Sequence, residues 1–331
     1  MSTRVHITVD TEFSIAGAFQ DPHRHQPVGP PAVYCPLEGK SGGLGYLLET
    51  LARFRLPATF FVETLNTCYF GDEPMGGIAR EIAAAGHSVQ LHLHPCWTYF
   101  ERSNWADSLQ SDPPNDDITR RSVYEIERLI QLGQATFKRW GLDTPEVLRT
   151  GGLRVNTKVY EAMGRRGIST ASNIGLAVYR PAEPALQRLS GCHQIQGIRE
   201  LPVTTFADLQ WRQKKHLKTL TITGTSWPEM RTLLKQARAR GLSDVVVLTH
   251  AFEYIKHRDI TYQSLYPDRI NRGRLEKLCA FLAEEPGFEV ATLSDTSDCE
   301  TAEQDLLLSV QPWQAAGRML VNRLNHAIMR L

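Results

Sequence analysis

Two patterns of apolar residues alternate along the chain. Short continuous apolar runs are typical of buried strands, and longer stretches with apolar residues three or four positions apart are typical of amphipathic helices. The strand pattern occurs at 5–9, 58–62, 86–95, 245–249 and 288–293. The helix pattern occurs at 44–54, 78–85, 126–140, 230–237 and 275–282. Strands that alternate with helices in this way predict a parallel sheet covered by helices.

Acidic and histidine side chains stand at the ends of three predicted strands. Asp10 and Glu12 follow the first run, His92 and His94 end the third, and His250 follows the run at 245–249. Side chains two positions apart on a strand share a face, so each of the two pairs should point in one direction. Imidazole nitrogens and carboxylate oxygens are ligands that Zn²⁺ accepts. The pattern therefore predicts a cluster of two acids and three histidines, although each residue alone also fits an ordinary polar strand end.

With the turn Leu148-Arg149-Thr150-Gly151-Gly152-Leu153-Arg154, these segments resemble the metal-dependent polysaccharide deacetylase family of carbohydrate esterases. The shared order is an Asp motif on the first strand, a Gly-His-rich strand, an arginine turn and a late Leu-x-His. The resemblance extends from about residue 4 to about residue 295. It implies an α/β fold, a distorted (β/α) barrel of seven or eight parallel strands. We expect the barrel to cover residues 1–298, followed by an amphipathic helical tail at 299–331.

The resemblance implies three catalytic roles. Asp10 matches the family's general base, and Arg149 matches the arginine that orients this base and keeps it ionised. His250 matches the general acid that protonates the departing nitrogen. No counterpart of the family's Asp-Trp motif, which pairs with this histidine, is visible in the sequence.

The metal ligands depart from the family pattern. Thr11 occupies the position of the family's second Asp, so Glu12 is predicted to supply the carboxylate. His92 aligns with the first histidine ligand, whereas Cys96 aligns with the second. Because His94 shares a strand face with His92, we predict Glu12, His92 and His94 as ligands of a divalent metal, with Zn²⁺ as the expected ion. Cys96 stays open as the alternative to His94.

The substrate site is predicted from the turn after Arg149 and from the segment after His250. Gly151 replaces the family's proline and would free backbone N–H groups for an oxyanion. We assign substrate binding to Gly151, Gly152, Arg154 and Tyr254. Aromatic and cationic residues interleave after His250, which favours an anionic saccharide, or else a solvated loop. These residues are Tyr254, Lys256, His257, Arg258, Tyr262, Tyr266, Arg269 and Arg272.

Composition limits the partners and the location. With 331 residues and 42% hydrophobic residues the chain can bury a sizeable core. Its 37 Lys and Arg balance 36 acids, so no nucleic-acid partner is expected. A strand begins directly after Met-Ser-Thr-Arg, and no apolar run is long enough for a membrane span, so we expect a cytoplasmic protein. The six scattered cysteines, without Cys-x-x-Cys, predict reduced thiols.

The tail at 306–331 has its own pattern. Apolar residues recur at helical spacing after Pro312, and the tail carries three arginines and no acid. An amphipathic basic helix of this kind lies on an anionic membrane, docks on its own domain, or docks on a second subunit. A membrane contact would place the enzyme at the inner face of the membrane.

The predicted function is a metal-dependent hydrolase that removes an N-acetyl or similar acyl group from a sugar. With a cytoplasmic location, the predicted substrate is an N-acetylated, carrier-linked saccharide of surface polysaccharide or O-antigen biosynthesis. Two alternatives stay open: a catalytically silent sugar-binding protein on the same scaffold, suggested by Thr11 and Cys96, and a cyclic amidase.

Overall fold

Strands and helices alternate along most of the chain, as the sequence pattern predicts. The computed structural model describes residues 2–211, 214–295 and 305–327. The strands in these ranges are β1 (Thr3–Thr11), β2 (Pro36–Leu37), β3 (Lys40–Ser41), β4 (Thr59–Glu63), β5 (Ser88–Leu93), β6 (Val147–Thr150), β7 (Thr170–Ala171), β8 (His193–Ile195), β9 (Ile198–Glu200), β10 (Thr205–Trp211), β11 (Lys214–Thr219), β12 (Asp244–His250), β13 (Ile255–His257), β14 (Leu265–Pro267), β15 (Phe288–Val290) and β16 (Leu308–Ser309). The α-helices there are α1 (Pro30–Tyr34), α2 (Leu44–Phe54), α3 (Thr67–Phe70), α4 (Glu73–Ala84), α5 (Trp105–Ser108), α6 (Val123–Arg139), α7 (Thr157–Arg165), α8 (Trp227–Ala239), α9 (Arg269–Glu284) and α10 (Pro312–Ala327).

The main sheet curls into a distorted barrel. Its strand order is β12-β1-β4-β5-β6-β7-β9-β8, and every neighbouring pair is parallel except the last. A parallel bridge between Val203 and Val246 joins the segment after β9 to β12 and closes the ring. β15 adds an eighth parallel strand against the first residues of β1. The predicted (β/α) barrel is therefore confirmed.

Side-chain alternation separates the barrel interior from the layer beneath the helices. On β1, Val5, Ile7 and Val9 belong to the large apolar core, whereas Thr8 and Asp10 on the opposite face are polar and buried. A buried polar group needs a hydrogen-bonding partner or a ligand, because burial removes its contacts with water. The interior at the carboxyl end of β1 is thus a polar site enclosed by an apolar shell.

A smaller sheet and the C-terminal helix pack against this barrel. β16 pairs with β10, which also pairs with β11, and α10 contacts α8. The predicted boundary between residues 298 and 299 lies outside the described residues, so it stays a prediction. In the described ranges, none of the helices combines the length and the apolar content that crossing a bilayer requires.

The cysteines differ from the prediction at one position. Cys35, Cys68, Cys96 and Cys279 are free thiols. Cys192, however, takes part in a disulfide, so the prediction of reduced thiols is wrong for this residue. Pairing depends on how the fold brings two Cα atoms together, and sequence spacing contains no information on that distance.

Candidate active site

Strand register brings the predicted residues together at the carboxyl end of the barrel. Asp10 on β1 pairs with His250 on β12, and His92 on β5 pairs with Arg149 on β6. Glu12 follows β1 on the face of Asp10, and its carboxylate reaches the histidines of β5. The residues predicted as base, acid, arginine partner and ligands therefore occupy one site.

Asp10 is held by a buried ion pair. Nη1 of Arg149 donates to Oδ1 of Asp10 at 2.8 Å and also to Oγ1 of Thr8 at 2.9 Å. The other guanidinium nitrogens donate to the backbone oxygen and hydroxyl of Ser172, and the guanidinium lies over the ring of Phe61. Burial by itself raises the pKa of Asp10. The charge and hydrogen bond of Arg149, together with the charges of His92 and His250, outweigh burial and leave this pKa below its usual value. Asp10 is therefore an ionised carboxylate.

Glu12, His92 and His94 form a compact group of ligand atoms. Oε2 of Glu12 lies 2.9 Å from Nε2 of His94 and 3.6 Å from Nε2 of His92. The three residues present one ligand atom each, and all three atoms lie within 4.8 Å of one another. His92 is almost completely buried, so the group lies at the bottom of the site.

The second nitrogen of each ring has its own acceptor. Nδ1 of His92 lies 2.9 Å from the backbone oxygen of Arg149, and Nδ1 of His94 lies 2.6 Å from Oδ2 of Asp116. An acceptor at Nδ1 fixes the hydrogen there and leaves the lone pair of a neutral ring at Nε2. Sequence reasoning missed Asp116, because it lies in the segment between β5 and α6 with no spacing that relates it to His94.

This donor set fits a divalent cation. Two imidazole lone pairs and a carboxylate converge within a few ångströms, and lone pairs that face one another repel unless a proton or a cation lies between them. Two histidines and one carboxylate also form a recurrent catalytic zinc set that leaves a position open. The carboxylate of Asp116 behind His94 matches the outer partner that metal-binding histidines commonly have.

His250 has a carboxylate partner that was not predicted from the sequence. Its Nδ1 lies 2.9 Å from Oε1 of Glu253, and its Nε2 lies 4.0 Å from Oδ2 of Asp10. Burial disfavours the charged imidazole. The hydrogen bond and charge of Glu253, together with the charges of Asp10 and Glu12, outweigh burial and raise the pKa of His250 to about 9. Glu253 thus gives His250 a carboxylate partner. Its position three residues after His250 is the sequence signal that was overlooked.

Two further residues surround His94. The backbone N–H of His94 donates to Glu63, whose other oxygen accepts from the backbone of Leu65 at 2.6 Å. Burial raises the pKa of Glu63 to about 8. Cys96 donates its backbone N–H to Asp116 at 3.1 Å, and His94, Cys96 and Asp116 form a second group of convergent ligand atoms. A metal bound by Cys96 and Asp116 would therefore lie on the Nδ1 side of His94, whereas Glu12 lies on the Nε2 side.

The turn after Arg149 lies against the ligand group. An added Cβ at Gly151 would lie 2.4 Å from Nδ1 of His94, so glycine is required for the observed contact. Gly152 follows with a positive φ of 58°. Arg154 is half-exposed, donates to Asp117 at 2.9 Å, and lies over the ring of Tyr179. Gly151 is buried whereas Gly152 and Arg154 are exposed, and substrate contact through this turn stays a prediction.

The segment after His250 corrects two parts of the substrate prediction. Tyr254 is completely buried, and its hydroxyl lies 2.7 Å from Oγ1 of Thr249, so its side chain is not accessible to a substrate. Lys256 bonds to Asn325, and Arg272 donates to the backbone of Tyr254. Both cations therefore make contacts within the fold. Lys256 bonds to a residue of α10, and Arg272 belongs to α9 and bonds to the segment after His250.

Comparisons with known proteins identify solved structures that this chain resembles. No protein-family model and no curated protein matches the chain. A Mycobacterium smegmatis protein assigned as a polysaccharide deacetylase matches in structure with 16% identity, 94% coverage of both chains and a TM-score of 0.53. A family 4 carbohydrate esterase from Streptomyces lividans matches with 13% identity, 92% coverage of this chain, 98% of the other and a TM-score of 0.44. A family 4 pseudoenzyme from Bacillus anthracis matches with 13% identity, 94% and 70% coverage and a TM-score of 0.42. The first match shows that this chain has the fold of a protein assigned to the polysaccharide deacetylases.

Proposed function

We propose that this protein is a metal-dependent hydrolase that removes an N-acetyl or similar acyl group from a sugar. The observation that carries the proposal is the position of Asp10, which lies between Arg149 at 2.8 Å and His250 at 4.0 Å. The convergent ligands Glu12 and His94 lie beside it. Amide hydrolysis needs a base for water, an acid for the leaving nitrogen and stabilisation of the oxyanion, and this site offers residues for each.

Glu12, His92 and His94 would hold the metal, for which the mixed nitrogen and oxygen donors favour Zn²⁺. A bound divalent metal supplies a Lewis acid for the acyl carbonyl and lowers the pKa of a coordinated water. Asp116 and the backbone oxygen of Arg149 orient the two imidazole rings through their Nδ1 atoms. The protein's own contacts therefore set the orientation of both ligand rings.

The proton transfers fall to two residues. Asp10 accepts a proton from water as the water oxygen bonds to the acyl carbon, and Arg149 keeps this carboxylate ionised beforehand. Nε2 of His250 donates its proton to the sugar nitrogen as the carbon–nitrogen bond breaks, and Glu253 keeps the imidazole protonated. The products are a carboxylic acid and a free amine. We assign the oxyanion contact to the backbone of Gly151.

For the substrate we propose an N-acetylated saccharide, which a nucleotide or lipid-diphosphate carrier can present, bound at Gly152 and Arg154. The half-exposed guanidinium of Arg154 supports an anionic group on this substrate. A role in surface polysaccharide or O-antigen biosynthesis at the inner face of the membrane follows from the cytoplasmic location that the sequence favours. The disulfide at Cys192 favours an oxidising compartment instead. Thiol titration of protein from its native cells decides between the two locations.

Metal analysis of the purified protein, together with acetate release from a panel of N-acetylated sugars and carrier-linked sugars, tests the function. We expect about one equivalent of divalent metal and release of acetate from at least one N-acetyl sugar. Metal and saccharide binding without acetate release would support the silent sugar-binding protein instead. Turnover restricted to cyclic amides would support the cyclic amidase.

A further inference from the structure

The C-terminal helix α10 packs on the barrel through polar side chains. Nε2 of Gln314 donates to Oγ1 of Thr232 at 2.9 Å, and Nε of Arg318 donates to Glu229 at 3.1 Å. Both partners belong to α8. Arg318 is nearly buried, so the contact is part of the fold. The polar side of this helix therefore faces inward.

The second half of the helix continues this polar contact towards the catalytic end. Nη2 of Arg274 donates to Oδ1 of Asn322 at 2.7 Å. Nη1 of the same Arg274 donates to the backbone oxygen of Thr223 at 2.7 Å, and the hydroxyl of Thr223 lies 3.4 Å from Glu253. Arg274 thus connects the helix to the loop of Thr223, which contacts the partner of His250.

Apolar side chains of α10 face solvent. Trp313 is 68% exposed, Leu320 60% and Leu324 55%. At 100° per residue these three positions lie within about 40° of one another, and about 80–160° around the helix from Gln314 and Arg318. A terminal helix that only stabilises its domain buries its apolar stripe. This helix does the reverse, which marks the exposed stripe as a contact surface.

Cations flank the stripe. Arg323 on α10 and Arg269 and Lys277 on α9 are exposed. Arg269 and Lys277 line a groove of about 450 Å³ together with Trp313. The described part of α10 contains no acidic residue. We call this surface, made of the exposed side chains of Trp313, Leu320, Leu324, Val321, Arg323, Arg269 and Lys277, the tail face.

We propose that the tail face binds an anionic phospholipid bilayer. Charge complementarity selects this occupant, because a second copy docked on the same face would bring cation against cation, and the tail face as defined from the described residues contains no acid. At a bilayer, Trp313 lies at the interface, the leucines enter the acyl boundary, and the flanking cations contact lipid phosphates. The binding does not depend on the proposed hydrolase activity. It places the catalytic loops that contact α10 close to the membrane.

Sedimentation of the full chain with vesicles tests this proposal without any substrate. We expect binding to vesicles of phosphatidylglycerol and phosphatidylcholine, and about tenfold weaker binding to phosphatidylcholine alone. The double substitution Leu320→Glu/Leu324→Glu should weaken binding at least about tenfold, and Lys277→Glu should weaken it several-fold, with the loss smaller at high salt. Tyr124→Glu is the control for a glutamate placed away from the tail face, because it replaces an exposed apolar side chain on α6 and should leave binding unchanged.

Two results would overturn the proposal. One is that the full chain does not bind vesicles at all, or binds equally to vesicles with and without phosphatidylglycerol. The other is a concentration-dependent dimer in analytical ultracentrifugation that Leu320→Glu/Leu324→Glu dissociates, which would assign the tail face to a second copy of the chain. A protein that binds vesicles but releases no acetate would contradict the proposed function and leave the tail face intact.

Discussion

Nδ1 of His250 lies 2.9 Å from Oε1 of Glu253, and this contact fixes which imidazole nitrogen faces Asp10. The 3₁₀ turn Ala251–Tyr254 directly after β12 brings the two side chains together. Oε2 of the same glutamate accepts from Thr249 at 2.6 Å, so the carboxylate is itself held in place. His250 therefore presents its Nε2 hydrogen to the site as long as the ring is protonated.

The first prediction concerns Glu253→Gln. Glu253 helps raise the pKa of His250 to about 9, so its loss should lower that pKa towards 6.5 or below. A general acid works only while protonated, so activity in the native protein should fall as pH rises through about 9. In the variant this alkaline limb should move to lower pH, and kcat at pH 8 should fall more than about tenfold. The pH profile of kcat measures this shift.

Thr223→Val serves as the control for that profile, because it removes only the longer contact to Glu253, at 3.4 Å. Its alkaline limb should stay close to that of the native protein. An unchanged limb in Glu253→Gln would mean that His250 is not the acid.

The second prediction separates the base from the ligands. Asp10→Asn should lower turnover by about a thousandfold or more while metal content stays the same, because Glu12, His92 and His94 keep their donor atoms. Removing this charge leaves the guanidinium of Arg149 buried without its carboxylate partner, which should cost roughly 3 kcal/mol of folding stability. Metal analysis and a thermal melt, both made on one sample, measure the two effects. Loss of metal from Asp10→Asn would show that Asp10 is a ligand.

The third prediction concerns the choice between His94 and Cys96. His94→Ala removes a nitrogen that lies 2.9 Å from Glu12, and metal affinity should fall at least about tenfold. Cys96→Ser should have little effect, because burial raises the pKa of this thiol and keeps it protonated. Competition with a chelator measures both affinities. The opposite ranking would restore the cysteine as the ligand.

Periodicity and register explain which parts could be predicted from the sequence. The alternation along β1 and β5 placed Asp10 with Glu12 and His92 with His94 on shared faces, and the structure brings the two pairs together. Thr11 lies on the opposite face from Asp10, which is why Glu12 rather than the adjacent residue reaches the histidines. The helix pattern at 230–237 lies within α8, which begins with a capping box of Ser226 and Glu229.

Other contacts depend on chain geometry that periodicity does not contain. Asp116 reaches His94 from an irregular segment, whose course depends on tertiary packing. Tyr254 was predicted to bind substrate because aromatics follow His250, but the 3₁₀ turn directs its ring into the core against Tyr46. The exposed stripe of α10 follows the predicted spacing, yet only the docked side chains show which face is outward.

The fourth prediction concerns the outer partner of a ligand. Asp116→Asn keeps the shape of the side chain but removes the negative charge 2.6 Å from Nδ1 of His94. Metal affinity should fall about 10- to 100-fold, as is typical when a carboxylate behind a ligating histidine is lost. Asp117→Asn is the control, because Asp117 is adjacent but pairs with Arg154. Equal affinities in Asp116→Asn and the native protein would show that this carboxylate does not orient the ligand.

The last prediction concerns Gly151, where a single methyl group tests the packing of the site. In Gly151→Ala the new Cβ would lie 2.4 Å from Nδ1 and 2.5 Å from Cε1 of His94, so the ring has to move away from Glu12 and Asp116. We expect metal affinity to fall at least about tenfold, because ligand rings must keep their orientation to bind. Gly164→Ala on α7 is the matched control, since nothing lies within 4 Å of its added Cβ. That helical substitution should raise stability by about 0.5–1 kcal/mol without changing metal affinity. If both alanine variants bind metal like the native protein, His94 is not a ligand in the position that the structure gives it.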